Sequence, residues 1–323
     1  MNELILANGK VIFPGRKEVE ITDVAIKEGK IGEIGSKLSN NAESKIDLDG
    51  SYLSPGFIDL QVNGGYGVDF LTCEPEDISK ASDFWLEHGT TSFLGTIITH
   101  PIDSMNRAIS SLARTDAPNL FGVHVEGPFL SYEKRGTHNP AHLKQPTRGG
   151  FHRIISGAEK SVKLFTFAPE LEGAGDLLGW IEAYNSVPSI GHSNADFDTI
   201  NSFLDRGISS FTHLFNGMKG FHHREPGTVG AALVSDSMVG IIADGMHLHS
   251  GTIRFIEKMK GSDEIYLVTD AIAAAGLEDG KYVLGNQGIT VEDGLAKIED
   301  GTIAGSTLTM ESALKNYIEF TDI

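Results

Sequence analysis

From residue 55 onward the chain repeats one rhythm: a short apolar run, a turn, then a stretch with apolar residues three and four apart. The runs at 57–62, 91–98, 120–125, 162–168, 186–190, 208–212, 238–243 and 265–269 read as strands. Between them, segments such as 76–88 and 196–206 read as amphipathic helices. Strand followed by helix, repeated, is the pattern of βα units on a parallel sheet. Eight such units favour closure into a (β/α)8 TIM-type barrel over an open doubly wound sheet, which would share the rhythm.

The flanking segments keep a different period. Over residues 4–34 short apolar runs alternate with turn pairs such as Asn8-Gly9 and Glu28-Gly29, predicting antiparallel strands joined by hairpins in a small β-sandwich-like domain. Strand-like runs return at 282–303, broken by Asp293-Gly294 and Asp300-Gly301, as an excursion after the last barrel strand, and a helix is expected from near Ser306. The expected division is a β domain at 1–54 and a barrel at 55–323, with the excursion at about 280–305. The sequence stops at Ile323, which would leave the β domain incomplete and its strand edges exposed, a condition that favours association. The pair Phe84-Trp85 and Met310 fall at helical positions and read as core or interface residues.

Composition narrows the partners. With 26 Lys and Arg against 44 Asp and Glu, the net charge of −18 repels nucleic acid and anionic membranes. A single cysteine, Cys73, forms no internal disulfide, and the N-terminus lacks the basic start and apolar core of a secretory signal. No segment approaches the apolar length of a membrane span, so the expectation is a soluble cytoplasmic protein.

Against that acidic background, chemistry-bearing side chains gather at the C-terminal ends of the predicted strands, where barrel active sites are built. Glu126 ends the third, His192 the fifth, His213 the sixth and Asp270 the eighth. Any one of them alone reads as a solvated loop residue; together, one carboxylate and two imidazoles make a three-ligand catalytic zinc plan with an open position for water. Asp270 would then lie beside that water as general base. His124, two residues before Glu126, is assigned to the other face of its strand. Glycines at 64, 65, 127, 191 and 217 flank the strand ends and let backbone approach a ligand. The run Lys219-Gly220-Phe221-His222-His223-Arg224 is the most cationic short stretch and suits a phosphate, though it also reads as a solvated loop; His222 and His223 are not assigned to the metal. His88 suits a helix C-terminus, and His100, His142, His152 and His249 show no partner pattern.

Nine short motifs, in order along the chain, carry a resemblance. They are Pro55-Gly56-Phe57-Ile58-Asp59, His124-Val125-Glu126-Gly127-Pro128, Gly136-Thr137-His138-Asn139-Pro140, Gly191-His192-Ser193-Asn194-Ala195, Thr212-His213-Leu214-Phe215-Asn216, Arg224-Glu225-Pro226-Gly227, Ala243-Asp244-Gly245, Val268-Thr269-Asp270-Ala271 and Gly305-Ser306-Thr307-Leu308. Together they resemble the N-acetylglucosamine-6-phosphate deacetylases of the amidohydrolase superfamily. Many amidohydrolases carry His-x-His after the first strand, whereas this chain has Gln61-Val62-Asn63. The resemblance therefore implies one metal ion on Glu126, His192 and His213, with Gln61 and Asn63 outside the ligand shell or acting through water. Zinc suits these ligands, and iron, cobalt or manganese would fit the same set.

The resemblance further implies hydrolysis of the acetamide of N-acetylglucosamine 6-phosphate. His138 would hydrogen-bond the acetyl carbonyl beside the catalytic Asp270. Asn216 and the backbone of Gly217 would meet the phosphate, helped by Arg224 across the interface of a homodimer. His247 would contact the sugar-phosphate end, and Thr137 and Leu308 count among the substrate contacts. Two rivals remain at this stage: another amidohydrolase, acting on a cyclic amide or a different N-acetyl amino sugar, and a non-catalytic sugar-phosphate binding protein on the same fold.

Overall fold

Eight parallel strands, Phe57–Val62, Thr90–Ile98, Leu120–Glu126, Val162–Phe167, Val187–Ile190, Ser210–Phe211, Met238–Ile241 and Ile265–Leu267, pair in chain order. Just past the eighth strand the backbone turns back on the first: Asp270 N–H donates to Gln61 O at 2.9 Å and Asn63 N–H to Ala271 O at 2.8 Å. These bonds close the sheet into the expected barrel. The computed structural model describes residues 2–36, 38 and 42–323, which divide into two units, Met1–Gly56 and Phe57–Ile323.

Alternation along each strand sorts the side chains. One set, including Phe93, Ile97, Val123, Val125, Phe165, Phe167 and Phe211, is fully buried and packs in one apolar cluster with helix residues such as Trp85, Met105, Ile109, Leu177 and Ile253. The other set is polar. Thr96, His124, Thr166, Ser189 and Thr212 are buried and joined by hydrogen bonds, among them His124 Nε2 with Thr166 Oγ1 at 2.7 Å and Thr166 Oγ1 with Thr212 Oγ1 at 2.7 Å. This corrects the sequence-based placing of His124: a period of two puts residues 124 and 126 on the same face, and both are buried among the polar side chains.

Helix starts follow local signals. Asp196 caps Phe197–Leu204 through the Thr199 N–H at 2.8 Å, and Thr147 caps Arg148–Ile155 through the Gly150 N–H. His249, for which sequence offered no partner, accepts from Gly251 N–H at the start of Ser250–Lys260. The expected excursion is an antiparallel sheet of Gly280–Leu284, Gln287–Glu292 and Leu295–Lys297. The last helix is Met310–Thr321, not one beginning near Ser306. Ser306 instead bridges to Ala271, and its hydroxyl donates to Thr269 O, so residues 302–306 fasten the excursion to the eighth-strand exit.

In the smaller unit, Asn2–Phe13, Glu18–Lys27 and Lys30–Gly35 form the expected antiparallel meander, while Ala42–Asp47 and Tyr52–Leu53 run parallel to the first strand. Glu28 and Gly29, at φ 54° and 68°, make the hairpin turn expected of them. Asn8-Gly9 does not turn the chain. It forms a bulge inside the first strand, with Asn8 in the left-handed region and its N–H held by Asp23 Oδ1 at 2.9 Å. Large apolar side chains stay exposed on this unit, including Ile21, Ile31 and Tyr52. Among the described residues no helix is long and apolar enough to cross a membrane.

Candidate active site

The strand exits bend sharply. His192, His213 and Asp270 all occupy the left-handed backbone region, at φ 47°, 30° and 50°. Such conformations cost a side-chain-bearing residue of order 1–3 kcal/mol and cluster where geometry serves a function. Here they bend the chain at the exits of the fifth, sixth and eighth strands, where the three side chains line one cavity.

The result is a compact set of donors. Glu126 Oε1 lies 2.9 Å from His213 Nε2 and 3.3 Å from His192 Nε2, and the two imidazole nitrogens are 3.1 Å apart. A metal with bonds of ~2.0–2.1 Å and tetrahedral angles would space its ligands about 3.4 Å apart, close to these values. His192 Nδ1–H donates to Lys134 O at 2.8 Å, which leaves Nε2 with its lone pair facing inward. Three lone pairs this close repel unless a hydrogen or a cation sits among them: an N–H at His213 Nε2, donating to Glu126 Oε1, meets that need, and so does a divalent cation. Burial opposes charging His213, but its bond to the Glu126 carboxylate raises its pKa overall. Burial alone would push Glu126 upward, but its two imidazole neighbours, His192 and His213, hold it well below the usual carboxylate range. These three buried residues are the ones among the described residues that could hold a metal ion.

Asp270 faces this cluster. Burial and the neighbouring Glu126 charge push its pKa up to about 6, against the pull of His213, His247 and Asn63. Its Oδ1 accepts from Asn63 Nδ2 at 2.7 Å and Gln61 Nε2 at 3.1 Å. Gln61 Nε2 also reaches Glu126 Oε1 at 3.2 Å, so both amides sit beside the donor cluster as hydrogen-bond partners of its carboxylates. Asn63 Oδ1 is buried without a hydrogen-bond partner among the described residues.

His138 completes one side of the cavity. Its Nδ1 accepts from Thr99 N–H at 3.3 Å, so the neutral ring carries its proton on Nε2, which lies 3.9 Å from Glu126 Oε2. Burial and nearby His192 lower its pKa to about 3, and the ring is neutral. His247 also lines the cavity; its Nδ1 pairs with Asp244 Oδ2 at 2.6 Å, and Asp244 also accepts from the His247 and Met246 N–H groups. Gly217 permits the close approach on which His192 depends: a Cβ there, at φ 57°, would stand 2.6 Å from His192 Nδ1.

A cavity of about 270 Å3 opens over these groups. Of the residues chosen from sequence, it brings together Asn63, Glu126, Thr137, His138, His192, His213, Asn216, Gly217, His247 and Asp270. It does not bring in Arg224, which is exposed and meets His223 Nε2 at 2.7 Å, or the side chain of Leu308, which packs with Ile242, Val268 and Ala313. Sequence reasoning missed three supports of the site. Thr99 and the Lys134 carbonyl act through backbone atoms, which no residue type announces. Asp59, fully buried, accepts from Thr269 Oγ1 at 2.6 Å and from Gln61 N–H at 3.1 Å, tying the first strand to the eighth. Its signal was available: a charged residue two positions before Gln61 shares its inward face.

Known proteins extend this picture. The amidohydrolase family profile matches residues 52–320. The chain is 32% identical to the N-acetylglucosamine-6-phosphate deacetylase of Lysinibacillus sphaericus over 99% of its length and 84% of that protein, and 36% identical to that of Bos taurus over 87% of its length and 72% of that protein. A point mutant of the deacetylase of Mycobacterium smegmatis, solved with N-acetyl-D-glucosamine-6-phosphate, superposes with a TM-score of 0.92 at 29% identity, covering 100% of this chain and 85% of that one. The deacetylase of Thermotoga maritima superposes with a TM-score of 0.87 at 34% identity, covering 99% of this chain and 85% of that one. With this fold, this donor cluster and these relatives, the chain belongs to the amidohydrolase family, among the N-acetylglucosamine-6-phosphate deacetylases.

Proposed function

We propose that the protein hydrolyses the acetamide of N-acetylglucosamine 6-phosphate, giving acetate and glucosamine 6-phosphate. The observation that carries this reading is the convergence of Glu126, His192, His213, Asp270 and His138 on one cavity in a chain related to deacetylases along nearly its whole length. Glu126, His192 and His213 would hold a single divalent cation, which supplies Lewis acidity and draws the pKa of water down towards about 7. Zinc suits one carboxylate and two imidazoles, and iron, cobalt or manganese suits the same donors. Gln61 and Asn63 are amides where two imidazoles would be needed for a second ion.

The chain's own groups divide the proton work. Burial and the neighbouring Glu126 charge raise the Asp270 carboxyl above the usual carboxylate range, which strengthens it as a base for taking a proton from water. Gln61 and Asn63 both donate to Oδ1, leaving Oδ2 as the oxygen that receives the proton and delivers it to the departing nitrogen. His138, neutral and protonated on Nε2, donates to the acetyl oxygen as negative charge grows there. Asn216, Gly217 and His247 line the same cavity and would receive the sugar phosphate, and Thr137 lies beside His138. Arg224 would reach the phosphate from the partner in a homodimer. The test is acetate release from N-acetylglucosamine with and without the 6-phosphate: the reading predicts strong preference for the phosphorylated sugar, and equal or absent turnover of both refutes it.

A further inference from the structure

Three apolar side chains, Ile98, Leu284 and Ile303, stand on a cavity wall otherwise made of polar residues and glycine. Ile98 and Leu284 are 7% and 5% exposed and belong to a small apolar cluster that is continuous with the core of the excursion sheet, through Ile289, Val291 and Ala296. They come from different parts of the chain. Ile98 ends the second barrel strand, Leu284 ends the first strand of the excursion, and Ile303 lies on the segment returning to the eighth-strand exit.

The wall is held in place from several sides. Asp69 Oδ2 accepts from Gly285 N–H at 2.6 Å, next to Leu284. Gln287 Nε2 donates to Thr137 O at 2.6 Å, one residue from His138. Ser306 N–H donates to Asp270 O at 2.9 Å, and Ile272 N–H to Ser306 O at 3.0 Å. Thr99, adjacent to Ile98, supplies the N–H that orients His138. The apolar wall is thus anchored both to the group that meets the acyl oxygen and to the group that moves the proton.

We propose that Ile98, Leu284 and Ile303 form the acyl-recognition wall and limit the substrate to a short N-acyl group. The inference rests on the deacetylase reading above. A phosphorylated amino sugar is polar over nearly all its surface; its one aliphatic group is the acyl methyl, bonded to the same carbon as the oxygen that His138 meets. Apolar surface burial favours placing that methyl against the apolar part of the cavity. A wall fixed by hydrogen bonds at Gly285, Gln287 and Ser306 gives a longer chain no room without displacing it. One methylene in such a pocket changes kcat/KM by roughly 10–200-fold.

The test compares N-acetyl, N-propionyl and N-butyryl glucosamine 6-phosphate in the wild-type metal-loaded enzyme and in Leu284→Ala and Ile303→Ala, the second being partly exposed and less demanding of the core. The wild type should prefer acetyl over propionyl by about 10-fold or more, and each folded variant should shift the propionyl-to-acetyl ratio of kcat/KM upward by about 10-fold. The proposal is overturned if the wild type takes both acyl groups equally, or if variants with native circular dichroism and measurable deacetylation keep the wild-type ratio. A wild type that releases no acetate defeats the deacetylase reading itself, and the acyl wall with it, and this outcome is distinct from an active enzyme with an unmoved ratio.

Discussion

Asp59 is a carboxyl sealed inside the barrel, and its burial should write itself into the pH dependence of stability. Burial pushes its pKa from 3.8 up to about 7, although the Thr269 hydroxyl and the N–H groups of Gln61 and Thr269 pull it down. The folded state therefore holds a proton that the unfolded chain gives up near pH 4. Its contribution is fully present below that value and is lost as pH rises to about 7. Across the whole window the loss is about 4 kcal/mol, and between pH 5 and 7.5 it is about 2.5 kcal/mol, at 1.36 kcal/mol per unit. Asp59→Asn keeps the shape and an acceptor for the two N–H groups but cannot ionise. Urea unfolding of both proteins, stripped of metal, at pH 5 and 7.5 isolates the effect, because the other buried groups with shifted pKa values, Asp270, His138 and His213 among them, are common to both. Wild type should lose about 2.5 kcal/mol more than Asp59→Asn over this interval. Equal losses in the two proteins would refute the argument that burial controls this carboxyl.

Asp270→Asn should lower kcat by ~10³-fold or more, since base and acid roles each contribute ~10²–10⁴-fold, while metal content measured by mass spectrometry is unchanged. Gly217→Ala should weaken metal affinity by ~10–100-fold, read by competition with a chelator, because the new Cβ crowds the His192 Nδ1 contact with Lys134 O. Trp85→Ala should cost ~3–5 kcal/mol in urea unfolding, the penalty of emptying a fully buried indole site in the main apolar cluster.

Periodicity made the barrel legible because each strand places a row of apolar side chains against helices of period 3.6, and Phe93, Ile97, Phe165 and Phe211 announce that face directly. The donor cluster was legible for a related reason: Glu126, His192, His213 and Asp270 each follow a strand end, and a closed parallel barrel brings all such ends together. What escaped was whatever depended on the inner face. His124 was misplaced by a miscounted period, although its burial with Thr96 and Thr166 follows from standing two residues before Glu126. Asp59 was passed over because its partner, Thr269, is 210 residues away. Asn8-Gly9 carries strong turn chemistry, yet strands paired on both sides of it absorbed the pair as a bulge. The start of the last helix was misjudged because Ser306 has a competing use, bonding Thr269 O and bridging to Ala271. The acyl wall was invisible as a unit because Ile98, Leu284 and Ile303 meet only once the excursion folds back over the barrel mouth.

If Glu126, His192 and His213 hold one cation, acetate release depends on it. Metal analysis after exhaustive dialysis, coupled to an acetate assay, tests it in the wild type, in Glu126→Ala and in His213→Ala. The wild-type chain should carry one metal ion, both variants should lose bound metal and activity together, and chelator-treated protein should recover wild-type activity when a divalent ion is restored. Full acetate release by metal-free protein, or unaltered metal content in both variants, would contradict it.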